Sequence, residues 1–492
     1  MVFTSTEFIF LLLPATLILY MIASGIRVKN FILLCMSLLF YSWGEPRTVF
    51  LVLFSILVNW LFGIGFSHKN ATENAGSDEF TISSRNTKKR NKLILTAAVI
   101  FNIGLLFIFK YFNFAMDNFN QVLALFSVES VQFTRILLPI GISFYTFQIL
   151  SYVIDVYRQE TSAQKNPFDL GLYVTMFPQL IAGPIVRYVT IAEEIKCRQT
   201  TLPEFKRGVS RFMIGFCKKL LISNNVALLA DSAFSASNPP FLLVWMGIIA
   251  YALQLYFDFS AYSDMAIGMG WMLGFHFLEN FNYPYSANSI KDFWRRWHIS
   301  LSTWFRDYLY IPLGGNRKGS FRTYINLLIV FFITGLWHGA SWNFVIWGLY
   351  HGVFLILERG RIGRWIGKAP SFFRRLYTLF VVLVGWVFFR AETLPEAFSY
   401  LRRMFSNPVS DAGYAISFLT PEIIFFLVTG IFFSIPIYPA LVKKLALLEK
   451  KCYPKIYFLA SFAHDFCVLI CYATATLYMI GSDFNPFIYF RF

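Results

Sequence analysis

Apolar runs, many close to 20 residues long and separated by short basic or glycine- and proline-rich breaks, make up most of this chain. A helix of about 20 residues crosses a hydrocarbon core of about 30 Å. In lipid the backbone must satisfy its own hydrogen bonds, so the runs are expected to be helices. Crossings are read at 8–26, 31–43, 49–66, 93–112, 136–157, 209–230, 242–259, 324–337, 344–357, 376–389, 423–438 and 458–480. The fold class is therefore all-α: a polytopic membrane protein with about twelve transmembrane helices and two or three re-entrant or interfacial segments.

Some segments break the pattern. The run 136–157 carries Pro139, Gly141, Ser143, Gln148 and Asp155, so it is expected to face protein or water and not lipid. The stretch LYVTMFPQLIAGPI at 172–185 is short and rich in Pro and Gly, and reads as re-entrant, ending at Arg187. Lys218 and Lys219 interrupt 209–230. The run 242–259 leads into DFSAYSDMAIGMG, where Asp258, Ser260, Ser263 and Asp264 fall among apolar residues. From there to Tyr285 the chain is expected to be short and broken. Residues 290–310 read as one amphipathic helix. Trp294, Trp297, Leu301, Trp304 and Tyr308 form its aromatic stripe. Lys291, Arg295, His298, Ser302 and Arg306 form its polar stripe.

Composition agrees with the pattern. Of 492 residues, 57% are apolar and 14% charged, against about 45–50% and about 25% in soluble proteins. The net charge of +16 is expected mostly in short cytoplasmic loops. That rule puts 27–30, 67–92, 359–375 and the lysine-rich 443–455 inside the cell, and both termini outside. The excess also favours anionic membrane lipid, or a phosphate-bearing donor from the cytosol. Nucleic acid is excluded as a partner, because the basic residues form no single face. The polar stretch 67–92 is read as a flexible cytoplasmic loop, the whole chain 1–492 as one membrane-embedded domain, and 258–352 as its catalytic core. The first apolar run lacks a basic n-region and a small-residue cleavage site, so it is expected to stay as a span. The six cysteines contain no CxxC, and Cys467 and Cys471, one turn apart, read as packing residues.

The candidate chemistry centres on two histidines. His338 closes an uncharged run between Arg322 and Glu358, flanked by Trp337, Gly339, Ala340 and Trp342. An ionisable group at that depth is rare unless used or paired. A neutral imidazole there can take a proton from an alcohol; a satisfied structural histidine is the plainer alternative. His351 could line the same cavity or simply pack. His276 reads as structural, and His68 and His464 carry no signal. No histidine pair has a ligand spacing, so no metal is expected. GGNRKG resembles a phosphate loop, but Ser320 stands where the obligatory Lys belongs, which rejects an NTPase. Arg317 and Lys318 could still meet donor phosphates, a solvated turn being the alternative.

Three long motifs, FDFSAYSDMAIG, FWRRWHISLSTWFRDYLYIPLGGNRKG and LWHGASWNFVIWGLYHG, resemble the bacterial membrane-bound O-acyltransferases. The likeness is greatest to the branch that O-acetylates alginate or peptidoglycan, with teichoic-acid D-alanylation proteins more distant. It extends through LPIGISFYTFQILSYVIDVYR and FPQLIAGPIVRY to the terminal FIYFRF. The resemblance implies a ring of helices around a thin central layer, where a cytoplasmic tunnel meets an outer funnel. It implies that His338 is the family's invariant histidine and His298 its second position. It implies acyl transfer from a cytosolic thioester, acetyl-CoA, with no bound cofactor. His338 would act as general base or, as an alternative, carry the acyl group; His298, with Asp307, would orient or polarise. Arg295, Arg306, Asp307, Arg317, Lys318, Asp258 and Ser260 are the candidate donor- or substrate-binding residues. The expected setting is the bacterial inner membrane, beside a periplasmic acetyltransferase- or esterase-like partner that grips the polysaccharide. Rival readings are a transporter or flippase of an acyl carrier or glycan, D-alanyl transfer to teichoic acid, and a structural subunit holding a partner enzyme.

Overall fold

Helices account for most of the computed structural model, which describes residues 1–66, 77–181, 183–406, 412–450 and 454–481; no strand occurs among them. Among the described residues, seven helices are long and apolar enough to cross a membrane: Ile26–Gly44, Asn86–Leu125, Leu202–Ser235, Phe241–Leu273, Gly319–His338, Ser371–Arg390 and Phe458–Gly481. Phe8–Ile22, Val49–Gly65 and Pro421–Phe433 are shorter apolar helices. Many large side chains on these helices point outward, among them Phe50, Leu93, Phe425 and Leu477. Such a surface is a liability in water and is solvated by lipid tails. The chain is a multi-pass membrane protein. Cys467 and Cys471 are exposed, so they contribute to this outer surface and not to internal packing.

The chain divides into two compact units, Met1–Glu204 with Gly270–Phe277, and Phe205–Met269 with Leu278–Phe492. In the first, the polar helix Ile142–Arg158 is buried along nearly its whole length, as its composition requires. Asp155, fully buried, pairs with Arg187 at 3.2 Å. The Tyr173 hydroxyl lies 3.2 and 2.9 Å from the carbonyl oxygens of Gln148 and Val186. The expected re-entrant stretch is built as two short helices, Pro167–Thr175 and Phe177–Leu180, whose prolines sit in the first turn, where a missing N–H costs nothing. The His276 Nδ1 lies 2.8 Å from Glu194 Oε1. Of the segment 67–92, residues 67–76 lie outside the described residues, and 77–92 belong to the helix Ser77–Leu106.

The second unit carries all the residues singled out for chemistry. Its relevant helices are α1 (Leu202–Cys217), α2 (Phe241–Leu273), α3 (Ile290–Arg296), α4 (Ile299–Phe305), α5 (Gly319–His338), α6 (Trp342–Arg359) and α7 (Ser371–Arg390). The ends of α1 and α2 reach a few residues into the first unit. Two expectations fail. The stretch after Phe259 is broken only from Gly274 on: α2 runs unbroken through DFSAYSDMAIGMG to Leu273, because the polar groups there find partners on the helix before it, and 274–283 is irregular as expected. And 290–310 is not one helix. It breaks at Trp297–His298, where His298 adopts φ +44°, then resumes as α4 and a π-helical turn, Arg306–Tyr310.

Candidate active site

The α5–α6 hairpin supplies one wall. Only Gly339, Ala340 and Ser341 join the two helices. A Cβ on Gly335 would run into the Phe344 carbonyl oxygen, and one on Gly348 into that of Phe331. Small residues at such a contact let two helix backbones approach closely. His338 is the last residue of α5 and is buried. Its ring is enclosed by Trp337, Trp347 of α6 and Phe389 of α7, at centroid distances of 5.0, 4.9 and 5.2 Å and near-perpendicular angles.

The broken helix supplies the other wall. Ser289 caps α3 by accepting from the Asp292 N–H at 3.0 Å. Glu358, at the end of α6, accepts from the N–H groups of Ile290 and Lys291 at 2.7 and 3.0 Å, which places a carboxylate at the positive end of a helix. The segment Asn280–Asn282, which precedes α3 in the chain, bridges the break after that helix: Asn282 N–H donates to Arg296 O, and Ile299 N–H donates to Asn280 O, both at 2.9 Å. A non-glycine residue in the left-handed region costs of order 1–3 kcal/mol and persists only where its surroundings enforce it. These two bonds do so at His298.

The break changes what His298 does. The helical stripe made it a polar-face residue; in the fold it is fully buried, while its stripe partners Lys291, Arg295 and Arg306 stay exposed. The aromatic stripe is buried. Phe259 of α2 packs edge-on against the His298 ring at 4.6 Å, and Trp337 lies 6.2 Å away. Both candidate histidines therefore face the same indole, that of Trp337. His298 Nδ1 lies 3.1 Å from Asn280 Oδ1, and its Nε2 is buried with no hydrogen-bond partner among the described residues. His298 lies in none of the candidate spans, and burial lowers its pKa to about 3, so the imidazole is neutral near pH 7.

The remaining candidates separate into two groups. Asp258 pairs with Lys219 at 2.6 Å, both buried. Beside it, Asp264 bonds Lys218 and Arg211 at 2.6 and 2.7 Å, and Arg211 reaches Glu279 at 2.6 Å. The lysines stand on a π-helical turn, Lys218–Ser223, between two α segments. Three cations thus meet three carboxylates, which explains how α2 carries acids through apolar surroundings. Ser260, on the same helix, is buried. Arg317 and Lys318 are exposed in the turn before α5, and Arg306 pairs with its neighbour Asp307 at 2.7 Å. The structure brings His298 and His338 together around Trp337, and leaves the basic turn on the surface.

Sequence reasoning missed Asn280, Ser300, Trp347 and Phe389. Asn280 sits in a non-helical stretch with no periodicity to mark it. His351, left between lining and packing, is fully buried, edge-on to Trp294 and Trp347 at 5.2 and 5.4 Å.

The second unit thus holds two buried imidazoles, His298 and His338, against the one indole of Trp337. Residues 119–392 match the membrane-bound O-acyltransferase family, and the chain belongs to it: it is a membrane-bound O-acyltransferase. It is 41% identical over 518 aligned residues to a "probable alginate O-acetylase" of Azotobacter vinelandii, covering 100% of both chains. It is 36% identical over 440 residues to a peptidoglycan O-acetyltransferase of Helicobacter pylori, covering 82% of this chain and 80% of that one. A teichoic acid D-alanyltransferase of Bacillus subtilis is 31% identical over 233 residues, 44% of this chain and 58% of that one.

Proposed function

We propose that this protein transfers acetyl groups from cytosolic acetyl-CoA toward an exported polysaccharide of the alginate or peptidoglycan type, in the bacterial inner membrane. The reading is supported above all by end-to-end similarity to an alginate O-acetylase, together with the paired histidines. Similarity to teichoic acid D-alanyltransferases covers at most half of the chain. His338 acts as general base. It takes the proton from an acceptor hydroxyl as the oxygen attacks the thioester carbonyl; the C–S bond breaks, a C–O ester bond forms, and the proton passes to the leaving thiolate. His298 is the second imidazole and orients the reacting groups. The close glycine contacts and aromatic walls keep water from the thioester, which would otherwise hydrolyse. A periplasmic partner then carries the acetyl group to the sugar.

The test is His338→Ala in cells that express the protein from its own locus. Loss of O-acetyl groups from one envelope polysaccharide, with normal insertion, supports the reading and identifies the polymer. Unchanged acetylation with the variant folded and inserted overturns it.

A further inference from the structure

The amide of Asn280 has only one orientation compatible with its neighbours. Its Oδ1 lies 3.2 Å from the Ser300 backbone nitrogen, which can only donate, and accepts from the Ser300 hydroxyl at 2.9 Å. That end of the amide is therefore the oxygen. The His298 Nδ1 faces the same oxygen at 3.1 Å and bonds to it only as a donor; the Ser300 hydroxyl lies 3.5 Å from Nδ1, but its one hydrogen is engaged in the shorter bond to Asn280. A neutral imidazole has one N–H, so Nε2 is bare. That atom is buried and has no partner among the described residues, a costly state for an acceptor unless something fills it.

We propose that Asn280 is a positioning residue that locks His298 in the Nδ1–H tautomer and so presents Nε2 as an acceptor to a hydrogen-bond donor on the bound substrate. The inference rests on the acyl-transfer reading and narrows it. A bare Nε2 cannot polarise a thioester carbonyl, which is itself an acceptor. It holds an O–H or N–H: a hydroxyl of the acyl acceptor, or an amide N–H of the pantetheine arm of acetyl-CoA. His298 thus orients a substrate while His338 moves the proton.

The tautomer is read directly, without turnover, from ¹⁵N spectra of the histidine-labelled full chain in lipid, with the His298 signals assigned by their loss in His298→Asn. The expected result is a protonated Nδ1 and a bare Nε2. In Asn280→Leu the tautomers mix or invert, whereas Asn280→Asp, which keeps the oxygen, retains the Nδ1–H form. A protonated Nε2 in the unmodified chain overturns the proposal, as does an unaltered tautomer in Asn280→Leu. In purified protein, acetyl-CoA cleavage is expected to fall by up to about 10⁴-fold in Asn280→Leu, the size of loss that a wrong tautomer causes elsewhere, and to be largely kept in Asn280→Asp. A raised KM for acetyl-CoA marks the pantetheine arm as the donor held. A lowered kcat with unchanged KM, together with more hydrolysis relative to transfer, marks the acceptor hydroxyl. Equal activity of Asn280→Leu and the unmodified chain counts against the lock. If the unmodified chain cleaves no acetyl-CoA, the acyl-donor assignment fails while the spectra still decide the tautomer.

Discussion

His298 is held where it is by backbone that an unconstrained residue avoids. Its φ of +44° is enforced by Ile299 N–H donating to Asn280 O, and strain of this kind gathers at functional sites. His338 needs no such strain, being the ordinary last residue of a helix. The two should therefore fail differently. His338→Ala is expected to cut turnover by about 10²–10⁴-fold, the usual contribution of a general base, with little change in thermal stability. His298→Gly relieves the backbone strain while deleting the imidazole, so it should lose activity while the protein unfolds at an equal or higher temperature in detergent. If instead it unfolds markedly earlier, the ring is there for packing. Much of this site was legible from residue type and spacing: both histidines stood out against an apolar background. The left-handed turn at His298 did not. A helical stripe assumes unbroken 3.6-residue periodicity, and nothing in the local residues 290–310 marks a break that bonds from residues 280–282 impose.

The α5–α6 hairpin is the element on which the site depends. Gly348 has no room for a side chain, because the Phe331 carbonyl oxygen occupies the place of its Cβ. Backbone cannot rotate aside as a side chain can. Gly348→Ala is expected to push the helices apart and destabilise by about 1–3 kcal/mol, with activity falling further because Trp347, its neighbour in sequence, walls His338. Thermal unfolding and acetyl-CoA cleavage measured on one preparation separate the two effects. The pair Lys219–Asp258 makes a second case. Removing one partner of a buried ion pair costs about 3–5 kcal/mol, whereas replacing both by apolar groups is often neutral. Lys219→Met should therefore unfold well before the unmodified chain, and Lys219→Met with Asp258→Leu should recover most of the loss. An activity that recovers along with stability shows that Asp258 supports the fold and does not hold the donor. Here too the helices themselves were readable from apolar length. Their pairings were not: Asp258 and Asp264 stood unexplained in an apolar run because the lysines and arginine that match them lie 39–53 positions earlier in the chain.

For the molecule as a whole, a membrane protein with polar residues inside its helices can either move a substrate or transform one, and the two activities leave different products. If the chain were a flippase, acetyl-CoA or a glycan carrier would cross the bilayer intact, and His338→Ala would slow that movement no more than a packing defect does. The buried histidine pair and the family membership argue for transformation. In sealed vesicles containing the purified chain, external acetyl-CoA should release free coenzyme A on the side where it is added, with release abolished in His338→Ala. The acetyl group should then become available to a hydroxyl acceptor enclosed within the vesicles. Polysaccharide enclosed alone should be a poor acceptor: among the described residues the chain is helix and short connection, with no sizeable soluble domain to grip a polymer. Enclosing the proposed periplasmic partner with it should raise polymer acetylation without a matching rise in coenzyme A release per acetyl group delivered. A one-to-one ratio of thioester cleaved to ester formed across the bilayer would establish transfer through the protein. Intact acetyl-CoA recovered inside would establish transport instead.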